Sequence, residues 1–271
     1  MHIIKQSLLQ TGWFGCIIRA TIYHEFHEEV NAMKLLWQNR FEDFDLVKTS
    51  PTYYSGAAVK EDVLKCVFFG ADLGITEMTF DIQNGHILTF NKNGNTEKYK
   101  ENYAVKHASR HLECDDFVFG EYKISHFGEW GYMCHKNDRL LWKKALKGYL
   151  YTDMILNQRN IVFGTGGQGG HFYSVNIDTG EIVFDFNTLG TSKFFDVNNN
   201  YYFCSTEKKC TQILKIDYDG NVLENIEVEG LYYDTYCLFN LCDDLLCVMT
   251  LKKKRKGNTE LFSPILHCIQ V

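Results

Sequence analysis

Asn160-Ile161-Val162-Phe163-Gly164, then His171-Phe172-Tyr173-Ser174-Val175-Asn176-Ile177-Asp178-Thr179-Gly180, then Glu181-Ile182-Val183-Phe184 is the stretch that decides the fold. An apolar run leads to a Gly-rich connection, and a second run follows whose side chains alternate with period two. Thr179-Gly180 supplies the positive φ that a short hairpin demands, and a third apolar run succeeds it. The reading is strand, hairpin, strand, tight turn, strand.

The same order recurs along the chain. Val67-Phe68-Phe69-Gly70 precedes Met78-Thr79-Phe80-Asp81-Ile82, Asn84-Gly85 and Ile87-Leu88-Thr89-Phe90. Phe117-Val118-Phe119-Gly120 precedes Gly131-Tyr132-Met133-Cys134, Asn137-Asp138 and Leu140-Leu141-Trp142. Tyr201-Tyr202-Phe203-Cys204 precedes Ile213-Leu214-Lys215-Ile216, Asp219-Gly220 and Val222-Leu223. Two weaker copies pair Cys16-Ile17-Ile18-Arg19-Ala20 with Leu35-Leu36-Trp37, and Leu245-Leu246-Cys247-Val248 with Ile265-Leu266-His267-Cys268-Ile269. Ala20, Gly70, Gly120, Gly164, Cys204 and Val248 thus recur every ~40–50 residues, a period that marks repeat architectures such as propellers.

A weaker strand precedes each copy, as in Tyr149-Leu150-Tyr151-Thr152-Asp153-Met154-Ile155-Leu156, which makes about four strands per unit. One such unit leaves both faces open, and radial stacking buries them. The expectation is an all-β chain, one β-propeller domain over residues 1–271 with six blades of about four strands, seven remaining open. The last copy stops at Val271, so either that blade has three strands or residues 2–9 complete it. Residues 24–36 are the best helical candidate in a chain otherwise unsuited to long helices.

Residues 160–184 resemble the PQQ-like repeat of quinoprotein-type propellers. That repeat runs from an apolar strand through Gly-x-Gly to Asp-x-x-Thr-Gly and a Trp. Here Asn176-Ile177-Asp178-Thr179-Gly180 stands at the turn and Phe184 at the Trp position, which Trp37 and Trp142 occupy in two other copies. The resemblance implies the fold more strongly than any activity. The enzymes of that family are exported and bind pyrroloquinoline quinone and calcium; other members are non-catalytic scaffolds. This sequence has no vicinal Cys pair and no recognisable cofactor site, so no cofactor is expected.

Composition narrows the function classes. The chain has 271 residues with 45% hydrophobic and 15% aromatic side chains, which suits packed strands and argues against disorder. A formal net charge of −6 gives no global attraction to nucleic acid or to anionic membrane. No apolar run approaches the ~20 residues of a membrane-spanning helix, and Met1-His2-Ile3-Ile4-Lys5-Gln6-Ser7 lacks a secretory apolar core. Ten Cys, none in CxxC, read as small buried hydrophobes in a reducing, cytoplasmic setting.

Candidate chemistry is sparse. Gly164-Thr165-Gly166-Gly167-Gln168-Gly169 matches GxGxxG by letters, but a strand follows where a dinucleotide site needs a helix N-terminus. His24-Glu25-Phe26-His27-Glu28-Glu29 is not HExxH, and His107 with His111 precedes a strand; both read as solvated segments rather than metal ligands. No GxSxG and no distinctive carboxylate pair is present. The dense basic run Lys252, Lys253, Lys254, Arg255, Lys256 reads as a hydrated hairpin tip, with import-signal or nucleic-acid contact as its functional alternatives.

Aromatics near turns (Tyr53, Tyr54, Phe127, Trp130, Tyr232, Tyr233 and Tyr236) offer either binding hot spots or core between blades. The partner-binding set expected is Trp130, Tyr232, Tyr233 and the run Lys252–Lys256. The functional expectation is a monomeric, cytoplasmic, non-catalytic propeller that binds another protein of basic character. One specific form is a bacterial immunity protein that covers a toxin. The alternative is a ligand- or metal-binding enzyme with its site at the channel mouth. A scaffold recruited through the basic run is a third reading.

Overall fold

Alternation with period two builds antiparallel meanders throughout the described chain. The computed structural model describes residues 32–40, 52–70, 74–94, 116–128, 130–150, 152–166, 170–188, 193–207, 210–232, 239–256 and 259–271. Sheet 1 runs Thr52–Lys60, Val63–Gly70, Gly74–Asp81, Ile87–Gly94. Sheet 2 runs Phe117–Phe119, Tyr122–Phe127, Gly131–Lys136, Arg139–Ala145. In sheet 3, Tyr149–Leu150 and Ile155–Asn157 both pair with Asn160–Gly166, followed by His171–Asn176 and Ile182–Asn187. Sheet 4 runs Phe194–Val197, Asn200–Glu207, Cys210–Ile216, Val222–Glu229.

Sheet 5 is composite. Phe239–Cys242, Leu245–Lys256 and Thr259–Gln270 form a meander, and Lys34–Arg40 pairs antiparallel with the last of them, from Lys34 opposite Gln270 to Arg40 opposite Ile265. This corrects two expectations. Leu35-Leu36-Trp37 is an edge strand of the last sheet, not part of a first unit, and it gives that sheet a fourth strand, so the last unit is not three-stranded. Residues 2–9 and Cys16–Ala20 lie outside the described residues. A short apolar strand carries no mark of which partner it will take, so its repeat assignment was free to slip. The helical candidate 24–36 is likewise strand from Lys34 onward, because pairing with Thr259–Gln270 satisfies its backbone; the rest of that candidate falls outside the description.

Sheet 2 carries a register correction. Phe117–Phe119 is its first strand, at the sheet edge, and Gly120, at φ 60°, is in the turn after it, whereas the sequence pattern equated this strand with the second strands Val67–Gly70 and Asn160–Gly164. The true second strand, Tyr122–Phe127, hides behind the polar Lys123 and His126. All four turn matches hold: Gly85, Asn137-Asp138, Gly180 and Gly220 take positive φ between the third and fourth strands of their sheets.

The sheets pack face to face. One core joins sheets 1, 4 and 5 through Leu64, Phe80, Ile213, Leu246 and Cys268. A second joins sheets 2 and 3 through Ile124, Tyr132, Phe163 and Tyr173, and a third joins sheets 3 and 4 through Val162, Phe172 and Phe203. Meanders stacked in chain order, with the last against the first, are the organisation of a β-propeller. Sheets 1 and 2 share no core cluster among the described residues, and residues 95–115 between them lie outside these.

Candidate functional site

In a four-stranded meander the first and third turns lie at one end and the second turn at the other. Contacts between sheets show that neighbours present the same end. Tyr122 beside the first turn of sheet 2 donates its hydroxyl to Asp178 in the third turn of sheet 3 (2.6 Å). The rings of Trp142 and Phe184 lie against the third-turn glycines of the following sheets, Gly180 and Gly220. Trp37 lies against Gly85 in the same way, from sheet 5 to sheet 1.

This end is acidic. Glu61 and Asp62, Glu121 and Asp138, Asp219, and Asp243 with Asp244 are exposed at its turns. Asx side chains shape three of these turns. Asp81 Oδ1 accepts from the Gln83 and Asn84 amides, Asn176 Oδ1 from Asp178 and Thr179, and Asp217 Oδ1 from Asp219 and Asn221. The side-chain amide of Asn221, then the turn amides, hold the Asp217 carboxyl below the usual carboxylate range.

Two junctions at this end differ. Between sheets 2 and 3 the Asp178 carboxylate is fully engaged. Tyr122 donates to Oδ1, and Arg159 donates through Nε (2.9 Å) and a terminal nitrogen (2.6 Å) to Oδ2. Tyr122 and then Arg159 lower the Asp178 pKa. Lys136 reaches the same Tyr122 hydroxyl (3.0 Å) and pairs with Glu121 (2.7 Å).

Between sheets 3 and 4 the junction is open. A recess of about 320 Å³ is lined by Asn157, Gln158, Asn160, Asn199, Tyr201, Asp217, Tyr218 and Asp219. No cationic side chain lines it. The rings of Tyr201 and Tyr218 meet at 4.9 Å and 42°. Asn157 donates to the Tyr201 hydroxyl (2.6 Å), and Tyr218 donates to Asp196 (2.8 Å). Burial pushes the Tyr201 phenol up to about 12, so it remains a neutral donor or acceptor at physiological pH.

The expected partner-binding residues fall elsewhere. Trp130 is 44% exposed in the second-turn hairpin of sheet 2, at the opposite end. Beside it, Lys143 Nζ lies 3.9 Å from the Phe127 ring centroid. Tyr232 is core, the second of the two readings given for the turn aromatics. It is 6% exposed, its ring meets Phe239 edge-on at 5.9 Å, and its amide is held by the Thr211 hydroxyl (2.8 Å). Tyr233 and Tyr236 lie outside the described residues, and the side chains of Tyr53 and Tyr54 are not described. Lys252, Lys253, Lys254, Arg255 and Lys256 run along the end of Leu245–Lys256, where Lys256 pairs with Thr259. Lys252 is tied to Glu229 (2.5 Å), which Arg40 also meets (2.5 Å). The expected set is therefore not one cluster, and the basic tip sits at the end opposite the acidic turns.

Sequence reasoning missed Tyr122, Arg159, Asp178, Asn199 and Asp219. Their signal was available only through the aligned turns, since Asp178 and Asp219 each closely precede a matched glycine, Gly180 and Gly220. The segment after Gly164 connects two paired strands, Asn160–Gly166 and His171–Asn176, so no helix N-terminus faces it. His24, His27, His107 and His111 fall outside the description. Among the described residues, no group of three or more His, Cys, Asp or Glu is placed to hold a metal ion.

No protein-family model and no curated protein matches the sequence. Solved structures are similar at low identity. BamB from Moraxella catarrhalis shares 9% identity over 81% of this chain and 59% of its own, with a TM-score of 0.37. The Neurospora crassa Pan2 WD40 domain shares 10% over 84% of this chain and 65% of its own, at 0.32. The WD40 β-propeller domain of Doa1 shares 9% over 79% of this chain and 62% of its own, at 0.33. The chain thus spans about three-fifths of the length of these three solved structures. The fold assignment rests on the sheets themselves.

Proposed function

We propose that this chain is a non-catalytic, protein-binding β-propeller that docks a basic partner on its acidic turn end. The observation that carries this is the alignment of exposed carboxylates at the first and third turns of successive sheets, on a chain of net charge −6. Rigid meanders hold such turns in place, and complementary charge speeds encounter and fixes orientation. The working form is a monomer in the cytoplasm; the mostly buried cysteines among the described residues suit a reducing compartment. Kinship of the repeat with the PQQ-like type belongs to the same proposal, supported by the Asx-capped turn at Asn176 and the aromatic at Trp37, Trp142 and Phe184. A specific form is toxin neutralisation, an immunity protein covering the surface of a basic toxin.

The test is capture of endogenous partners by tagged protein at ~50 mM and ~300 mM salt, where screening changes appreciably. One dominant basic protein, lost at the higher salt, is the expected result. A co-purifying metal or small molecule with no protein partner overturns it in favour of a ligand-binding or catalytic propeller. Rescue of growth against a captured toxin tests the immunity form, and failure of rescue removes that form alone.

A further inference from the structure

The two junctions at the acidic end are built on the same plan. In sheet 3 the amide of Asn176 donates to Glu181 across the third turn (2.8 Å), and that of Ile177 to the first-turn carbonyl of Arg159 (2.8 Å). In sheet 4 the amide of Asp217 donates to Asn221 across the third turn (3.0 Å). The sheet 4 turn is one residue shorter, but in both turns the opening Asx Oδ1 accepts from the amide two residues on, so that, counted from that residue, Asp217-Tyr218-Asp219 takes the place of Asn176-Ile177-Asp178. First turns match too: Asn157 pairs with Asn160 around Gln158-Arg159, and Val197 pairs with Asn200 around Asn198-Asn199. Asp219 stands where Asp178 stands, and Asn199 where Arg159 stands.

The carboxylate is kept but its cation is not. Arg159 grips Asp178 with two nitrogens, whereas the side chain of Asp219 has no partner among the described residues and Asn199 supplies no charge. In place of the missing guanidinium there is a recess of about 320 Å³ with two tyrosine rings in its wall. We infer that this recess takes a guanidinium group from outside, an arginine side chain of the partner, seated against Asp219 as Arg159 is seated against Asp178. A planar fork suits the carboxylate and the side-chain oxygens of Asn157, Asn160 and Asn199, and its faces stack on tyrosine; a compact ammonium has neither property. Taking the arginine to belong to a protein rests on the partner-binding reading above; the guanidinium site itself does not.

The probe is acetyl-arginine methylamide, titrated into the full chain and followed by NMR or calorimetry, with the neutral isostere acetyl-citrulline methylamide and the acetyl-lysine analogue as controls. Saturable binding of the arginine probe, at least about tenfold tighter than either control, is expected, the size of one charge-assisted hydrogen bond. Asp219→Asn should weaken the arginine probe by about the same factor without changing the melting temperature. Asn199→Arg should abolish binding by filling the recess from within; because residue 199 has φ 62°, where a long side chain is strained, Asp219→Asn is the arm that decides. No saturable binding, equal binding of citrulline or lysine, or unchanged binding by Asp219→Asn overturns the inference. The two proposals fail separately. A captured protein partner held equally by Asp219→Asn sinks the recess as its contact while the partner reading stands. Arginine binding that needs Asp219, with no protein captured, leaves the recess and removes the partner reading.

Discussion

The indole of Trp142 in sheet 2 lies flat enough on Gly180 of sheet 3 that a Cβ at residue 180 would stand 2.8 Å from the ring, and its Nε1 donates to the Ile177 carbonyl (2.8 Å). Trp37 repeats both contacts between sheets 5 and 1, on Gly85 and on the Ile82 carbonyl (2.7 Å). Phe184 keeps the packing on Gly220 but has no N–H to give. Glycine and aromatic are one device, a staple between blades. Gly180 also takes φ 72°, a conformation that costs a substituted residue roughly 1–2 kcal/mol. Trp142→Phe should cost about 1 kcal/mol by losing the hydrogen bond, and Trp142→Ala about 3–5 kcal/mol by losing the ring. Gly180→Ala should destabilise through both strain and clash. The double variant Trp142→Ala/Gly180→Ala should cost less than the sum, because the clash disappears with the ring. Chemical denaturation of the four proteins checks this; strict additivity would refute the staple.

The staple is absent between sheets 4 and 5. Glu224 sits beside a bulge opposite Lys215, in the position that Trp142 and Phe184 occupy beside theirs. Its neighbour, sheet 5, has no hairpin at that corner, because Lys34–Arg40 is not continuous with Thr259–Gln270. A carboxylate serves instead: Oε2 accepts from the Met33 amide and Oε1 from Lys215 (2.6 Å), whose side chain is only 8% exposed. Glu224→Leu strands that ammonium and should cost about 3 kcal/mol, whereas Glu224→Leu with Lys215→Met should recover most of it. Urea melts of the three proteins report it; an equal loss in single and double variants would mean the charge pair is incidental.

His267 makes stability depend on pH. It is fully buried in sheet 5, its Nε2 lies 2.9 Å from the Thr250 hydroxyl, and its Nδ1 has no partner among the described residues. Burial, against the pull of the Glu229 carbonyl and carboxylate, lowers its pKa from 6.5 to about 4. A histidine depressed in the fold is protonated first in the unfolded chain, so the unfolded state binds more protons below pH 6.5 and stability falls with pH down to about 4. The partly buried His126, lowered by desolvation, adds in the same direction. Melting temperature should fall between pH 6.5 and 4.5, with a shallower slope in His267→Gln. Parallel slopes would place the acid sensitivity elsewhere.

The basic tip and the acidic turns lie at opposite ends of the sheets, which separates two interfaces by mutation. Changing Lys253, Lys254, Arg255 and Lys256 to Gln should leave capture of a basic partner unchanged at either salt concentration, while Asp243→Lys with Asp244→Lys should reduce it several-fold through like-charge repulsion. Loss of the partner with the tip variant and not with the turn variant would move the interface to the other end.

The repeat was legible because its physics is local. Alternation, Gly85, Gly180 and Gly220 at positive φ, and the Asx turns at Asp81, Asn176 and Asp217 are short-range requirements, so the sequence by itself determined an all-β chain of stacked meanders. It also marked the aromatic position at Trp37, Trp142 and Phe184 without saying what those rings touch. Only the tertiary structure decided that Lys34–Arg40 completes the last sheet, that Phe117–Phe119 is the first, edge strand of its sheet, and that Asp219 lacks the cation Asp178 has. Each of these is a choice of partner between segments distant in the chain. Strand pairing and ion pairing depend on which groups are brought within a few ångströms, and that proximity is a property of the packed sheets, not of the residue order.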